Sequence, residues 1–284
     1  MNRNERVKQL YERVSKGINE VFMSENFKEY LKIMSRFHTY SARNSLLIQM
    51  VNPNATLVAG YQAWMKNFDR YVRKGEKGIP IFAYTPMTNI ETTFVSDEYG
   101  NTVETQTKRE VSSYKVVHVY DISQTEGTPL PEIAKELHSS VDNFKTLMET
   151  VKGISPFSIR FEHLDRIKGY CDPSNRLIVI NKGMSESQTL KTLIHEVVHA
   201  HKHAGLTQYG IDNDSRIEEE IEAECTAFIV CEHYGIDTSE YSFPYMAAWS
   251  KGKTSCDLLK ICKGIQILSE DLISKIDYCT HKIK

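Results

Sequence analysis

No stretch of this 284-residue chain holds 18 or more consecutive apolar residues, so no membrane span is expected. No apolar signal core follows the charged start Met1-Asn2-Arg3-Asn4-Glu5-Arg6-Val7-Lys8, and the protein is therefore expected in the cytoplasm. The six cysteines (171, 225, 231, 256, 262 and 279) form no Cys-x-x-Cys pair. Cys225 and Cys231, like Cys256 and Cys262, stand six apart, on different sides of a helix, which argues against joint metal ligation. Without an export signal they read as reduced, mostly buried thiols. Internal repeats and low-complexity tracts are also lacking. Usage of 40% hydrophobic and 25% charged residues argues against wholesale disorder.

What is present divides in two. A chain of this length is expected to form two modest domains. Residues 1–80 hold 14 Lys+Arg against 7 Asp+Glu, a net of +7. The remaining 204 residues hold 21 against 30, a net of −9. Opposite signs suggest two tasks, with a polyanion as partner of the first.

Along the chain, residues 7–51 read as helical, because apolar positions in Phe27-Lys28-Glu29-Tyr30-Leu31-Lys32-Ile33-Met34 recur every three or four residues. Asn52-Pro53-Asn54 breaks the pattern. Residues 79–84 and 114–120 are rich in β-branched and aromatic residues and predict strands. Between them, 87–112 is polar, with a turn expected at Tyr99-Gly100-Asn101. The first domain should end near Ile122, and residues 123–131 have linker composition. A helix over 132–150, strands at 157–162 and 176–180, and helices near 215–234, 240–250 and 255–279 complete the reading. Ser185 or Ser187 can cap the helix that carries His195.

That helix holds His195-Glu196-Val197-Val198-His199. Residues four apart on a helix are separated by about 6 Å along the axis and lie within about 40° around it. Both imidazoles can therefore reach one ion. Glu196 follows the first ligand, where a general base must stand to take a proton from an attacking water. Two imidazoles and a carboxylate suit Zn2+, and an open fourth position makes such a site catalytic. His203 lies two turns beyond His195, about 12 Å along the axis, too far to share the ion. The third ligand is expected instead on the helix Arg216–Phe228, whose apolar face runs through Ile217, Ile221, Thr226 and Phe228. Glu220 and Glu224 border that face and project together. Glu220 is assigned as ligand, and Glu224 as the acceptor that orients a ligand imidazole. Glu218, Glu219 and Glu222 read as solvated helix surface.

The His195-Glu196-x-x-His199 string, the Glu220-x-x-Ala223-Glu224 helix and the strand 176–180 together resemble the zincin-like peptidase domain of the ArdC antirestriction proteins. A more distant likeness is to the ImmA/IrrE metallopeptidases. The resemblance implies zinc on the two histidines and the first glutamate of the later helix, in a gluzincin-like metallopeptidase. ImmA-type enzymes usually have Asp or Asn after the alanine, where this chain has Glu224. The stretch Phe37-His38-Thr39-Tyr40-Ser41-Ala42-Arg43-Asn44 is similar to the single-stranded-DNA-binding domain of the same family. So are Ala55–Trp64 and Arg73-Lys74-Gly75-Glu76-Lys77-Gly78. The implied fold class is α+β: an ssDNA-binding-type domain over 1–125, then a mainly helical metallopeptidase domain with a small sheet over 132–284. A segment similar to the family's, Tyr245-Met246-Ala247-Ala248-Trp249, carries no chemistry that the residues reveal.

The residues support single-strand binding on their own account. Residues 22–84 hold eleven aromatics among basic residues, and single strands are held by bases stacked on aromatic faces within a positive groove. Phe27, Tyr30, Phe37 and Phe68 are expected in the core. Tyr40, Tyr61 and Trp64 are candidate stacking rings. Arg43, Asn44, Arg73, Lys74 and Lys77 are candidate contacts to the strand, the last three in a glycine-punctuated loop that phosphates could approach. The expectation is a DNA-protection factor of a mobile element, with single-stranded DNA as partner and a protein as possible substrate. Its rivals are a regulatory protease that cleaves a repressor, and a DNA-binding protein whose zinc site is not catalytic.

Overall fold

The computed structural model describes residues 2–22, 26–96, 102–130, 141–204, 216–236, 238, 243 and 246–282. Three helices open the chain: α1 (Arg3–Phe22), α2 (Asn26–Arg36) and α3 (Ala42–Val51). On α1 the buried residues Leu10, Val14, Ile18 and Phe22 recur every four positions, giving one stripe that faces the core. Ser41 caps α3 by accepting the Asn44 backbone N–H, and α3 is buried almost continuously from Asn44 to Gln49. It therefore sits at the centre of its half of the molecule.

The chain continues through β1 (Val58–Gly60), α4 (Tyr61–Phe68), β2 (Arg70–Val72), β3 (Ile79–Tyr84), β4 (Met87–Ser96), β5 (Thr102–Val111), β6 (Tyr114–Asp121) and β7 (Thr125–Gly127). Strands β1, β6 and β3 form an antiparallel sheet in that order, with Ile79 opposite Val119 and Phe82 opposite Val116. The strand predicted over 79–84 has the observed limits. The polar stretch 87–112 holds two strands for which the sequence pattern gives no expectation: β4 and β5 pair as a long antiparallel ribbon, from Met87↔Val111 to Ser96↔Thr102. Its threonines, Ile90 and Val111 are strand formers. The turn expected at 99–101 lies outside the described residues. The linker expected over 123–131 is partly strand, because β7 pairs with β2. Buried Asp121 organises that corner, its carboxylate accepting the Thr56, Leu57 and Ser123 backbone N–H groups.

The second half holds α5 (Val141–Ile154), β8 (Ser158–Glu162), β9 (Gly169–Asp172), β10 (Leu177–Asn181), α6 (Glu186–His203), α7 (Arg216–His233), α8 (Met246–Trp249) and α9 (Ser255–Lys282). The sheet order is β8-β10-β9, with β8 parallel and β9 antiparallel to β10, which leaves β9 at the edge. The helix expected over 132–150 is described only from Val141, and the one expected near 240–250 only as α8, since 131–140 and Tyr245 lie outside the described residues. Trp249 stands 6.0 Å from the Phe22 ring and under Lys253 at 4.5 Å, which gives its segment a packing role.

The two halves share one hydrophobic core. Val14 and Ile18 of α1, Tyr30 of α2 and Leu46 of α3 belong to the same buried cluster as Leu193, Phe228 and Ile265 of α6, α7 and α9. Polar contacts cross the same seam: Gln266 donates to the His38 carbonyl at 3.2 Å, and a ring nitrogen of His233 lies 2.9 Å from the Ser35 carbonyl. A charge boundary in the sequence is thus not a boundary in the packing. Among the described residues no helix is long and apolar enough to cross a membrane. All six cysteines are free, with Cys225, Cys231 and Cys262 buried and Cys256 exposed.

Candidate metal centre

Helix α6 begins at Ser185, whose hydroxyl accepts the Gln188 N–H at 3.3 Å. Leu190, Leu193, Ile194, Val197 and Val198 are buried and hold the helix on the β8-β10-β9 sheet. Packing there is close because position 169 is glycine: a Cβ would lie 2.9 Å from the Thr192 methyl and 3.0 Å from the Val179 carbonyl oxygen. His195 and His199 then face a cleft of about 670 Å³ between α6, α7 and the strand β9.

Nε2 of His195 and Nε2 of His199 are 3.2 Å apart. One carboxylate oxygen of Glu220 lies 3.4 Å from the first, and its other oxygen 3.7 Å from the second. A tetrahedral ion with bonds of about 2.0–2.1 Å sets its ligand atoms about 3.3–3.4 Å apart. The spacing of the donors therefore fits one ion, and these three residues could hold a divalent metal. Among the described residues this is the one group of three or more such donors within 4.8 Å of one another. Nδ1 of His195 faces the Glu224 carboxylate at 3.2 Å, at an angle too poor for a full hydrogen bond, and Lys191 stands 3.6 Å from the other Glu224 oxygen.

The charges are coupled. Burial works against a charge on His195, but Glu220 and Glu224 outweigh it and lift its pKa to about 9. The two imidazoles in turn hold Glu220 far below the usual carboxylate range. Burial works against ionisation of Glu224 too, yet His195 and Lys191 prevail and lower its pKa. Glu196 goes the other way: its burial outweighs the nearby histidines and raises its pKa. A carboxylate with strengthened proton affinity beside a cation site can take up and return a proton. Cys171 of β9 shares the cleft as a neutral thiol, pushed up to about 12 by burial and by the charges of Glu196 and Asp172.

Three readings of α7 need correction. Ile217, expected on the packed face, is 61% exposed. Glu222, expected in solvent, is buried with its carboxylate 2.6 Å from the Lys202 ammonium. Glu218 pairs with Lys253 at 2.6 Å. The helix is rotated so that Ile221, Cys225 and Phe228 face the core, and burial of Glu222 is tolerated because Lys202 neutralises it. His203 lines the rim of the cleft, and no ion pair or hydrogen bond joins it to the three converging donors.

Several candidate nucleic-acid residues make contacts within the fold. Trp64 is fully buried and donates its indole N–H to the Tyr120 carbonyl at 2.9 Å, so its ring has no face for a base. Asn44 is buried and grips the Phe82 backbone in both directions, donating to its carbonyl at 3.0 Å and accepting its N–H at 2.9 Å. That contact occupies the open edge of β3. Arg73 spends its guanidinium on Glu76 at 2.7 Å and on the Ser123 carbonyl at 2.6 Å, latching its loop to the Asp121 corner. Tyr40 is half-buried, with its hydroxyl 3.4 Å from the Val58 carbonyl. Tyr61, Arg43, Lys74 and Lys77 are exposed. Phe27, Tyr30 and Phe37 are core residues as expected, and Phe68 is partly buried against Trp64. β9 and Lys191 have no legible sequence signal, since four residues and one residue carry no periodicity.

Against known proteins, residues 2–120 match the N-terminal domain of the anti-restriction factor ArdC, and residues 154–245 match the IrrE N-terminal-like domain. Over 98% of its length the chain is 30% identical to an uncharacterized Bacillus anthracis protein, pXO2-81, of which it spans 52%. Its fold is similar to two crystal structures of the antirestriction protein ArdC from the R388 plasmid. The metal-free form gives a TM-score of 0.54 at 20% identity, covering 84% of this chain and 86% of that one. The Mn(II)-bound form gives 0.58 at 18% identity, covering 94% and 97%.

Proposed function

Since this chain is ArdC-like, with the N-terminal domain of an anti-restriction factor ahead of an IrrE-like domain, we propose that it is a DNA-protection factor of a mobile element that binds single-stranded DNA and carries a zinc-dependent hydrolase centre. The observation that carries the enzymatic half is the convergence of His195, His199 and Glu220 on one ion-sized point, with buried Glu196 next to the first ligand. Zinc bound there would polarise a scissile carbonyl and make water a better acid. Glu196 would accept the proton of the attacking water and pass it to the leaving group. Glu224 would hold the His195 ring in orientation through Nδ1, with Lys191 fixing Glu224. The nucleic-acid half rests on the +7 charge of residues 1–80 and on exposed Arg43, Tyr61, Lys74 and Lys77.

A second reading, a regulatory protease acting on a repressor, draws support from β9. It is an edge strand lining the same cleft, and an edge offers unpaired backbone groups to an extended peptide. One experiment addresses both readings. The full-length protein and its Glu196→Gln variant are compared for binding of single strands against duplex at rising salt, and for protection of incoming DNA in cells. The proposal expects steeply salt-dependent single-strand binding by both proteins, with protection lost in the variant. Full protection by Glu196→Gln would leave the metal as a structural brace. Absence of strand binding would favour the protease reading.

A further inference from the structure

A second cavity, of about 470 Å³, opens where α1, the N-terminal turn of α3 and the ends of β3 and β6 meet α9. That size is within the range of small-molecule sites. Its wall is a run of touching rings: Tyr11 and Phe82 are 4.5 Å apart, Phe82 and Tyr114 6.3 Å, and Tyr114 and Tyr84 5.7 Å. Tyr84 is 56% exposed, which leaves a ring face open at the mouth. Two cations also line the cavity, Arg43 from the first turn of α3 and Lys263 from α9, both exposed. The Arg43 guanidinium lies 5.4 Å from the Tyr11 ring centre. Among the described residues no Asp or Glu lines this cavity, whereas Glu196, Glu219, Glu220 and Glu224 all line the cleft of the candidate metal centre. The N-terminus of α3 adds its partial positive charge.

An aromatic wall with two cations and no carboxylate is complementary to a flat ring that carries an anion. We propose that this cavity seats one nucleotide unit of a single strand, its base against Tyr84 and Tyr114 and its phosphate between Arg43 and Lys263. The proposal rests on the single-strand reading above and deepens it, because it assigns part of the nucleic-acid site to α9. The chemistry is that of a nucleoside 5′-phosphate, whether free or within a strand. Stacking on aromatic faces tolerates any base, so little sequence preference is expected at this position.

The test uses the full-length protein and a labelled oligothymidylate of about 8 nucleotides, read by fluorescence anisotropy. Tyr84→Ala should weaken binding by about 5- to 100-fold. Lys263→Ala should weaken it and reduce the salt slope by about one, while Lys263→Arg retains both. Both side chains are exposed, so an unchanged Tm would establish that the variants fold. In addition, 4-thiothymidine in the oligomer should crosslink to Tyr84 or Tyr114 on irradiation. Thymidine 5′-monophosphate, added as competitor, separates the two sources of the ligand. If the monophosphate binds, is lost with Tyr84→Ala, and no strand binds, the cavity assignment stands and the single-strand reading falls. If the strand binds equally well to Tyr84→Ala and Lys263→Ala with no crosslink, the cavity assignment is overturned and the single-strand reading survives. If neither ligand binds, both are overturned.

Discussion

The Lys202 ammonium of α6 lies 2.6 Å from the Glu222 carboxylate of α7, where the glutamate side chain is 2% exposed. Lys202 comes three residues after His199, and Glu222 two residues after Glu220, so this pair fixes α6 and α7 against each other at the level of the candidate ligands. A buried ion pair contributes little net stability over an apolar pair, but removing one partner strands the other.

Lys202→Ala is accordingly expected to destabilise the protein by about 3–5 kcal/mol in urea unfolding. The double variant Lys202→Met/Glu222→Leu should recover most of that loss. A single variant as stable as the wild type would show that the contact does not hold the helices.

Metal analysis of the purified protein should find about one zinc per chain, as a three-ligand site implies. His195→Ala and His199→Ala should strip it, and His203→Ala should not. Glu220→Ala should weaken metal binding much more than Glu224→Ala, whose effect should be about 10–100-fold, as for a residue that orients a ligand. The reverse order would exchange the roles of the two glutamates.

For Trp64 the expected phenotype is one of stability. Trp64→Ala should cost about 3–5 kcal/mol, with strand affinity per folded molecule unchanged. Tyr61→Ala should do the opposite, leaving Tm in place and costing about 1–3 kcal/mol of binding if that exposed ring stacks on a base. A stable Trp64→Ala protein with weakened strand binding would contradict its burial.

Acid should destabilise the fold through His38. Burial, and then the neighbouring His233, lower its pKa, with the two rings 4.7 Å apart. The unfolded chain takes up a proton near pH 6.5, about the free imidazole value, whereas the folded state resists until lower pH. The unfolded state thus binds more protons in that window, so this contribution is fully present above about 6.5 and is lost as pH falls toward the folded pKa. His38→Gln should flatten the decline of stability on the acid side. An identical slope in the variant would remove His38 from the account.

Much of this was legible from residue order because helix period and ligand chemistry are local. The four-residue step from His195 to His199 fixes their common direction whatever surrounds them, and the same step relates Glu220 to Glu224. The strand over 79–84 announced itself by composition alone. What stayed hidden depends on partners distant in sequence. Trp64 and an exposed tryptophan have the same letter, and only the Tyr120 carbonyl 2.9 Å from its indole nitrogen decides between them. Asn44 beside Arg43 resembled a polar contact residue, but the Phe82 backbone claims both of its amide atoms. Glu222 looked like its solvated neighbours because the lysine that buries it lies twenty residues earlier. The edge strand β9 is four residues long, too short for alternation to register.

The joint core of Val14, Tyr30 and Leu46 with Leu193, Phe228 and Ile265 bears on how the gene can be cut. Each half, made alone, would present to water the apolar face that the other now covers. Neither could be traded for an unrelated module at the charge boundary without losing solubility, whatever activity it carried. For the same reason, two polypeptides broken near Pro129 and produced together should find each other and restore the folded protein by fragment complementation. The unit that can be moved intact is therefore the pair.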